Sequence, residues 1–233
     1  MSELALTLTA CINKYGFMKP VVFLGPTLRP SEARQILKAE FLPPVRRSSL
    51  SKLTAGRLAA IVDGELSPDA LLPDREVRDA LRRGVVLYGS SSVGAYHASK
   101  FCNSGMHGVG WVYEQYRARR ITGFDEISVL YHPLSLQALS VPLVNVRFWL
   151  SELVNAKIIS SADATTAMKK VAQLDLHDRD FAGIKACLLR QPDSYLMQKE
   201  LDAMTTFPEI KGDDARRLLR ICARFVSRKA GSV

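Results

Sequence analysis

Short apolar runs alternate with helix-like segments over the first hundred residues. Residues 21–24, 57–62 and 85–88 are continuously apolar or nearly so, and each run ends at a turn signal that contains glycine. Continuous rather than alternating apolarity is typical of strands that are covered on both faces, as in a parallel sheet. The pattern therefore predicts three short, buried strands.

Helical periodicity follows each of these runs. Residues 31–38, 73–83 and 92–101 are rich in helix formers, and the second helix has Pro73 at its start and Gly84 just past its end. These are the usual signals for helix boundaries. Three strand-helix alternations imply a parallel layer with right-handed crossovers, so the loops after the three strands should share one edge of the sheet.

The pattern changes after residue 105. A glycine-rich segment leads to a short amphipathic helix at 111–119, and residues 124–132 indicate an acidic turn followed by a strand. Further helices are expected at 144–156, 162–174, 179–190, 194–204 and 213–228. The predicted fold class is α/β, with a small, mostly parallel sheet of strand-loop-helix units and then a mainly helical C-terminal region.

Three segments are expected from this pattern. Residues 1–20 form an N-terminal extension, whose alternating leucines could add an edge strand. Residues 20–150 form the α/β core, and residues 151–233 form the helical region.

Composition narrows the possible functions. The chain has 233 residues, 47% of them hydrophobic, which is enough for a large core. Its net charge of +9 suits an acidic protein surface, a phosphate-bearing ligand or nucleic acid. Few aromatic residues are interleaved with the arginines of the last helix, which disfavours nucleic acid.

Cysteine usage and the first residues indicate a compartment. The four cysteines have no zinc or redox spacing, so we expect reduced thiols and a cytoplasmic location. The first 20 residues have no basic start and are too polar to span a bilayer, so neither a signal peptide nor a membrane helix is expected.

The turn from Gly89 to Gly94 holds three consecutive serines between a predicted strand and a predicted helix. A serine there could be a nucleophile beside an oxyanion hole, the turn could bind phosphate, or it could be an ordinary helix N-cap. No Walker lysine is present, and the spacing is not that of a G-x-S-x-G elbow. Lys100 lies about 12 Å along the helix axis from Ser92, too far to accept its proton, so a base must come from elsewhere.

Other candidate residues occupy predicted loops. Asp63 ends the second strand, at the edge where α/β sheets collect functional residues. Arg46 and Arg47 form a basic pair that is either a solvated loop or a site for an acidic partner or carboxylate. Asp125-Glu126 is expected to be an acidic turn rather than a metal site, and no histidine has the spacing of a metal ligand.

Eight sequence blocks occur in the order seen in the TfuA-like family, which the chain resembles over residues 20–150. The blocks are VVFLGPTL (21–28), LPPVRR (42–47), IVDG (61–64), DRE (74–76), GSSSVGA (89–95), GMHGVG (105–110), DE (125–126) and PLVNVR (142–147).

This resemblance implies a function. TfuA-like proteins are partners of YcaO enzymes in peptide backbone thioamidation, and are understood to hydrolyse a thiocarboxylated ThiS-like sulfur carrier and to assist engagement of the peptide substrate through a Ser–Lys pair. The family serine aligns with Ser92, with Ser91 as its variable neighbour. No cofactor or metal is implied.

The chain departs from the family at the block usually written His-Lys-Glu, which here is Asp74-Arg75-Glu76. Arg75 at the lysine position can stabilise an oxyanion but cannot act as a general base. The predicted catalytic residues are therefore Ser92, Ser91 and Arg75, and the predicted binding residues are Arg46, Arg47, Asp63 and Glu76. Three hypotheses stay open: a serine-dependent thiocarboxylate hydrolase, a non-catalytic scaffold that brings YcaO, carrier and peptide together, and a protein that binds a phosphate ligand at the serine turn.

Overall fold

The protein is described by a computed structural model over residues 18–189 and 195–230. The edge strand considered for the N-terminal extension falls almost wholly outside the described residues. By packing, the chain forms two units: one comprises the described residues up to Ile121 together with those from Gly212 onward, and the other is Thr122–Lys211.

A five-stranded, all-parallel sheet forms the centre of the first unit, and its strand order is β2-β1-β3-β4-β5. The strands are β1 (Val21–Phe23), β2 (Glu40–Leu42), β3 (Leu58–Ile61), β4 (Val86–Ser90) and β5 (His107–Val109). This confirms the α/β class and the three predicted strands. The two outer strands, β2 and β5, were missed because each has three residues and only partial apolar character.

Helices cover both faces of this sheet, as continuous burial of the central strands requires. They are α1 (Pro30–Ile36), α2 (Asp74–Arg82), α3 (Val93–Phe101), α4 (Trp111–Arg117) and the C-terminal helix α9 (Ile210–Ala230). On one face, Val22, Ala60 and Val62 share a buried cluster with Leu37 after α1 and Leu218 of α9.

The C-terminal helix therefore belongs to the core of the sheet unit. Ala215, Leu219 and Cys222 of α9 are fully buried in the same cluster as the strands. Packing divides the chain after Ile121 and again after Lys211, and the segment boundary at residue 150 stays a prediction. A sequence pattern marks α9 as amphipathic, but it does not say which apolar surface the helix covers.

The second unit is helical. Its helices are α5 (Leu143–Asn155), α6 (Ser161–Ala172), α7 (Phe181–Leu189) and α8 (Tyr195–Ala203). They enclose a core in which Trp149 packs edge-on against Phe207 with ring centroids 5.4 Å apart. In the described part of the chain, no helix is both long and apolar enough to cross a membrane.

The strand predicted within residues 124–132 was wrong. Asp125–Ile127 forms a 3-10 turn, and Tyr131 makes only an isolated bridge with Ala138. The acidic pair is held by arginines of its own unit: Arg179 bonds Asp125 through both terminal nitrogens, and Arg147 bonds Glu126. Asp125-Glu126 is thus an ion-paired turn.

Candidate active site at the carboxyl edge of the sheet

Three loops of the sheet unit meet at the carboxyl edge of the parallel strands. They follow β1 (Gly25–Thr27), β3 (Asp63-Gly64) and β4 (Ser91-Ser92). In this strand order the winding direction reverses between β1 and β3, and ligands of open α/β sheets bind at the carboxyl ends beside that reversal. The edge is therefore the place in this unit where chemistry is expected.

The turn between β4 and α3 is unusually tight. Ser91 has a left-handed backbone with φ of 65°, and the Ser92 N–H donates to the carbonyl oxygen of Ser90 at 2.7 Å. A Cβ on Gly89 would lie 2.1 Å from the carbonyl oxygen of Gly94, and a Cβ on Gly94 would lie 1.8 Å from that of Ile61. Both glycines are thus required for α3 to start so close to the strands.

The three serines of this turn have different environments. The hydroxyls of Ser90 and Ser91 are 2.9 Å apart and hydrogen-bonded to each other, and both residues are 0% exposed. Ser92 is 4% exposed and holds the N-cap position of α3, yet its side chain makes no capping hydrogen bond. Ser92 is therefore the serine whose hydroxyl is not committed to the turn.

Backbone amides surround the same point. The Gly94 N–H donates to Val62 O at 3.4 Å, and the Ala95 N–H donates to Ser92 O at 2.9 Å. The first amide of the helix, that of Val93, has no acceptor within the described residues. Helix N-termini carry unpaired donors and a partial positive charge, so this amide suits an anionic oxygen.

Asp63 fixes the neighbouring loop. Its carboxylate accepts hydrogen bonds from the Gly25 N–H at 2.8 Å, the Thr27 N–H at 3.2 Å and the Thr27 hydroxyl at 2.5 Å. The residue is 3% exposed. Asp63 therefore lies at the carboxyl edge of the sheet, as predicted, and its hydrogen bonds hold the loop that follows β1. Over the residues that the structure describes, no group of three or more His, Cys, Asp or Glu side chains is arranged for a metal ion.

Glu76 holds the basic turn that follows β2. Its two carboxylate oxygens accept the Ser48 N–H at 2.7 Å and the Leu50 N–H at 2.6 Å. Arg46 and Arg47 on this turn are exposed, and the Arg47 Nε donates to Asp69 O at 3.0 Å. Of the four predicted binding residues, Arg46 and Arg47 are exposed on this turn, and Glu76 orders its backbone.

The Arg75 side chain is exposed and contacts a carboxylate of its own helix. Its side chain is 89% exposed, and its guanidinium is 3.6 Å from Asp79 on the next turn of α2. A catalytic role for Arg75 stays a prediction that requires its side chain to leave Asp79.

Sequence reasoning missed a polar cluster between α2 and α3. Lys100 bonds the carboxylate of Asp74, and its Nζ lies 3.2 Å from the Tyr96 hydroxyl oxygen. His97 Nδ1 is 3.5 Å from the other Asp74 oxygen, and burial lowers the pKa of His97 to about 4 despite that carboxylate. The signal in the sequence was the four-residue spacing of Tyr96 and Lys100, which puts them on one helix face.

These features define an α/β protein with a serine-bearing turn at the carboxyl edge of a doubly wound parallel sheet. The family model described as TfuA-like protein matches residues 63–180, just over half of the chain and including this turn. The chain belongs to the TfuA-like family. No curated protein matches the chain.

Proposed function

We propose that this protein hydrolyses the C-terminal thiocarboxylate of a ThiS-like sulfur carrier and releases sulfide for a YcaO enzyme of peptide thioamidation. Membership of the TfuA-like family is consistent with a role associated with thioamidation and suggests a protein-partner role. The observation that carries the proposal is the contrast among the three serines, because the Ser92 hydroxyl, unlike those of Ser90 and Ser91, makes no hydrogen bond within the turn.

In this reaction Ser92 Oγ attacks the thiocarboxylate carbon. The new C–O bond gives a tetrahedral oxyanion, which collapses as the C–S bond breaks. Sulfur takes the electron pair of that bond and the proton of the Ser92 hydroxyl, and leaves as hydrosulfide. The Val93 N–H stabilises the oxyanion at the start of α3. Water then hydrolyses the acyl-serine and restores the hydroxyl. Ser91 acts as a positioning residue, because its left-handed backbone sets the direction of the chain just before Ser92.

The basic turn supplies partner recognition in this proposal. Arg46 and Arg47 meet carboxylates of the carrier, of the peptide substrate or of YcaO, while Glu76 keeps their backbone in place. Exposed arginines on an ordered turn suit this task because less conformational freedom is lost on binding.

The experiment follows the mass of a thiocarboxylated carrier during incubation with the protein. The proposal expects conversion of thiocarboxylate to carboxylate by the natural protein, and none by Ser92→Ala. The matched control is Ser67→Ala, which removes an exposed hydroxyl far along the chain and should leave the rate unchanged. Unchanged hydrolysis in Ser92→Ala would refute the nucleophile assignment. Arg75→Met added to the series tests the predicted oxyanion role of Arg75.

A second candidate function is a non-catalytic scaffold for YcaO, carrier and peptide. It is favoured by the near-complete burial of all three serines beside an exposed, ordered arginine pair. The scaffold requires that Ser92→Ala support YcaO-dependent thioamidation as well as the natural protein does. It also requires that Arg46→Glu with Arg47→Glu weaken complex formation. The reverse pattern rejects it.

A further inference from the structure

Gly64 brings the loop after β3 against the start of α3. A Cβ built on Gly64 would lie 2.9 Å from the Cβ of Val93 and 3.0 Å from Cγ1 of Val45. The chain just before Gly64 is tied to the same helix, because the Gly94 N–H donates to Val62 O at 3.4 Å. No side chain fits between the two valines, so the Gly64 backbone lies against the first residue of α3.

The hydrogen bonds on either side of Gly64 fix the direction of its N–H. Asp63 O accepts the Val45 N–H at 2.9 Å, and the Glu65 N–H donates to Val45 O at 2.9 Å. The Asp63 N–H donates to Phe23 O of β1 at 3.3 Å, so these bonds lie on the β1 side of the strand. Successive N–H groups of extended chain point to opposite sides. The Gly64 N–H therefore points towards β4, whose end carries the serine turn.

This N–H has no acceptor within the described residues, and neither has the Val93 N–H. The Ser92 hydroxyl also makes no hydrogen bond to the part of the chain that the structure describes, although Ser92 is only 4% exposed. Three unpaired polar groups thus lie around the contact between Gly64 and Val93. Such groups are costly to bury unless a ligand pairs with them. Gly64 is half-buried, so a ligand can approach its amide.

The chemistry proposed for Ser92 needs donors of this kind. Attack on the thiocarboxylate turns the carbonyl oxygen into an oxyanion, and a serine that is 4% exposed leaves little room for water to solvate that charge. Hydrolases with a serine at a strand-to-helix turn use two backbone N–H groups, one from the residue after the serine and one from the loop after another strand. Here Val93 follows Ser92, and Gly64 follows β3, which pairs with β4.

We infer that the Gly64 N–H is the second donor of the oxyanion hole at Ser92, which makes Gly64 a catalytic residue. The inference rests on the proposed function. The Val93 and Gly64 N–H groups both donate to the thiocarboxylate oxygen as Ser92 Oγ bonds to the carbon. These hydrogen bonds strengthen as charge builds on that oxygen, and they weaken when the C–S bond breaks and the carbonyl re-forms. No proton leaves either amide.

Removal of this one N–H tests the inference without adding a side chain. Gly64→glycolic acid replaces the amide nitrogen by an ester oxygen and keeps the rest of the residue. The matched control is Gly56→glycolic acid, whose lost N–H donates to Gly84 O at 2.8 Å at the amino end of β3. Two ligands complement the thiocarboxylated carrier. One is a peptide with the carrier's C-terminal residues and a boronic acid in place of the carboxyl, which forms a tetrahedral anion on Ser92. The other is the carboxylated carrier, which forms no such anion.

Gly64→glycolic acid should lower kcat on the thiocarboxylated carrier by about 100-fold or more and leave KM within about threefold. Its affinity for the boronic acid should fall by a similar factor, and its affinity for the carboxylated carrier should stay within about threefold. Gly56→glycolic acid should match the natural protein in all of these measurements.

An undiminished kcat in Gly64→glycolic acid overturns the inference. An equal loss of affinity for both ligands also overturns it, because that result indicates a distorted site rather than a missing donor. So does loss of the fold in this variant, since an N–H without an acceptor holds nothing in the native structure. A natural protein inactive on the thiocarboxylated carrier would instead refute the proposed function, and the inference with it.

Discussion

The Asp214 carboxylate accepts the Val112 N–H at 2.8 Å, joining two positions 102 residues apart. Its other oxygen accepts the Trp111 N–H at 2.8 Å, so Asp214 of α9 caps the start of α4. A Cβ on Gly110, which has φ of 99°, would lie 2.2 Å from this carboxylate. The C-terminal helix is therefore tied to the sheet unit by buried hydrogen bonds as well as by apolar packing.

Titration of Asp214 makes the stability of this unit depend on pH. Burial raises the pKa of Asp214 from 3.8 to about 6, although the two amide hydrogen bonds oppose it. The native state then binds the proton more tightly than the unfolded chain, so the contribution of this group to stability falls as pH rises from about 4 to about 6.

Asp214→Asn should flatten that dependence. Chemical unfolding from pH 4 to pH 7 should show the natural protein losing roughly 2–3 kcal/mol relative to the variant over this range. Asp213→Asn, at an exposed neighbouring position, is the control and should follow the natural protein. Parallel curves for Asp214→Asn and the natural protein would contradict the assignment.

Gly94→Ala should severely destabilise the protein. Its methyl group would overlap the Ile61 carbonyl oxygen, which is part of the sheet backbone and cannot move aside cheaply. We expect a loss of about 3 kcal/mol or more in the free energy of unfolding, measured in urea. Gly123→Ala, where the nearest atom to the new Cβ is 4.0 Å away, should change it by less than about 0.5 kcal/mol.

Asp63→Ala should loosen the loop after β1. The change leaves two backbone N–H groups and the Thr27 hydroxyl without their acceptor, at a cost of about 1–3 kcal/mol for each donor that stays buried. Hydrogen exchange of the Gly25 and Thr27 amides should accelerate. Exposed Asp69 offers the control Asp69→Ala, and protection equal to the natural protein in Asp63→Ala would refute the role.

Glu76→Ala should weaken partner binding although it removes no charge from the basic turn that carries Arg46 and Arg47. The Ser48 and Leu50 amides lose their acceptors, so the arginine pair is no longer ordered. Carrier affinity measured by calorimetry should fall, and Arg46→Glu with Arg47→Glu should reduce it further and in a salt-dependent way. The control Glu114→Ala removes an exposed acid from another helix of the same unit and leaves the turn intact. Equal affinity for Glu76→Ala and the natural protein would exclude the ordering role.

The apolar pattern of the sequence predicted the buried central strands. It did not predict the strands whose formation depends on hydrogen bonds to residues distant in the sequence. The runs that became β1, β3 and β4 are apolar enough to be recognised alone, whereas β2 and β5 are short edge strands that depend on β1 and β4 for their hydrogen bonds. The final helix was predicted as a helix, but its place on the sheet depends on the packing of Leu218 with strand residues that are distant in the sequence, such as Val22.

The sequence predicted where the candidate site lies, but it did not predict how the side chains in that site are paired. A strand followed by Gly89 and three serines located the turn, but only the three-dimensional structure distinguishes the paired hydroxyls of Ser90 and Ser91 from that of Ser92. The distance along the helix axis argued against Lys100 as the base for Ser92. That distance takes no account of the Lys100 side chain, so it could not predict the contact with the Tyr96 hydroxyl.

The most direct test is the mass of a thiocarboxylated carrier incubated with the natural protein and with Ser92→Ala. We expect the natural protein to remove the thiocarboxylate with release of one sulfide per carrier, and Ser92→Ala to leave the carrier intact. Equal hydrolysis by both proteins, or no hydrolysis by either, would contradict it.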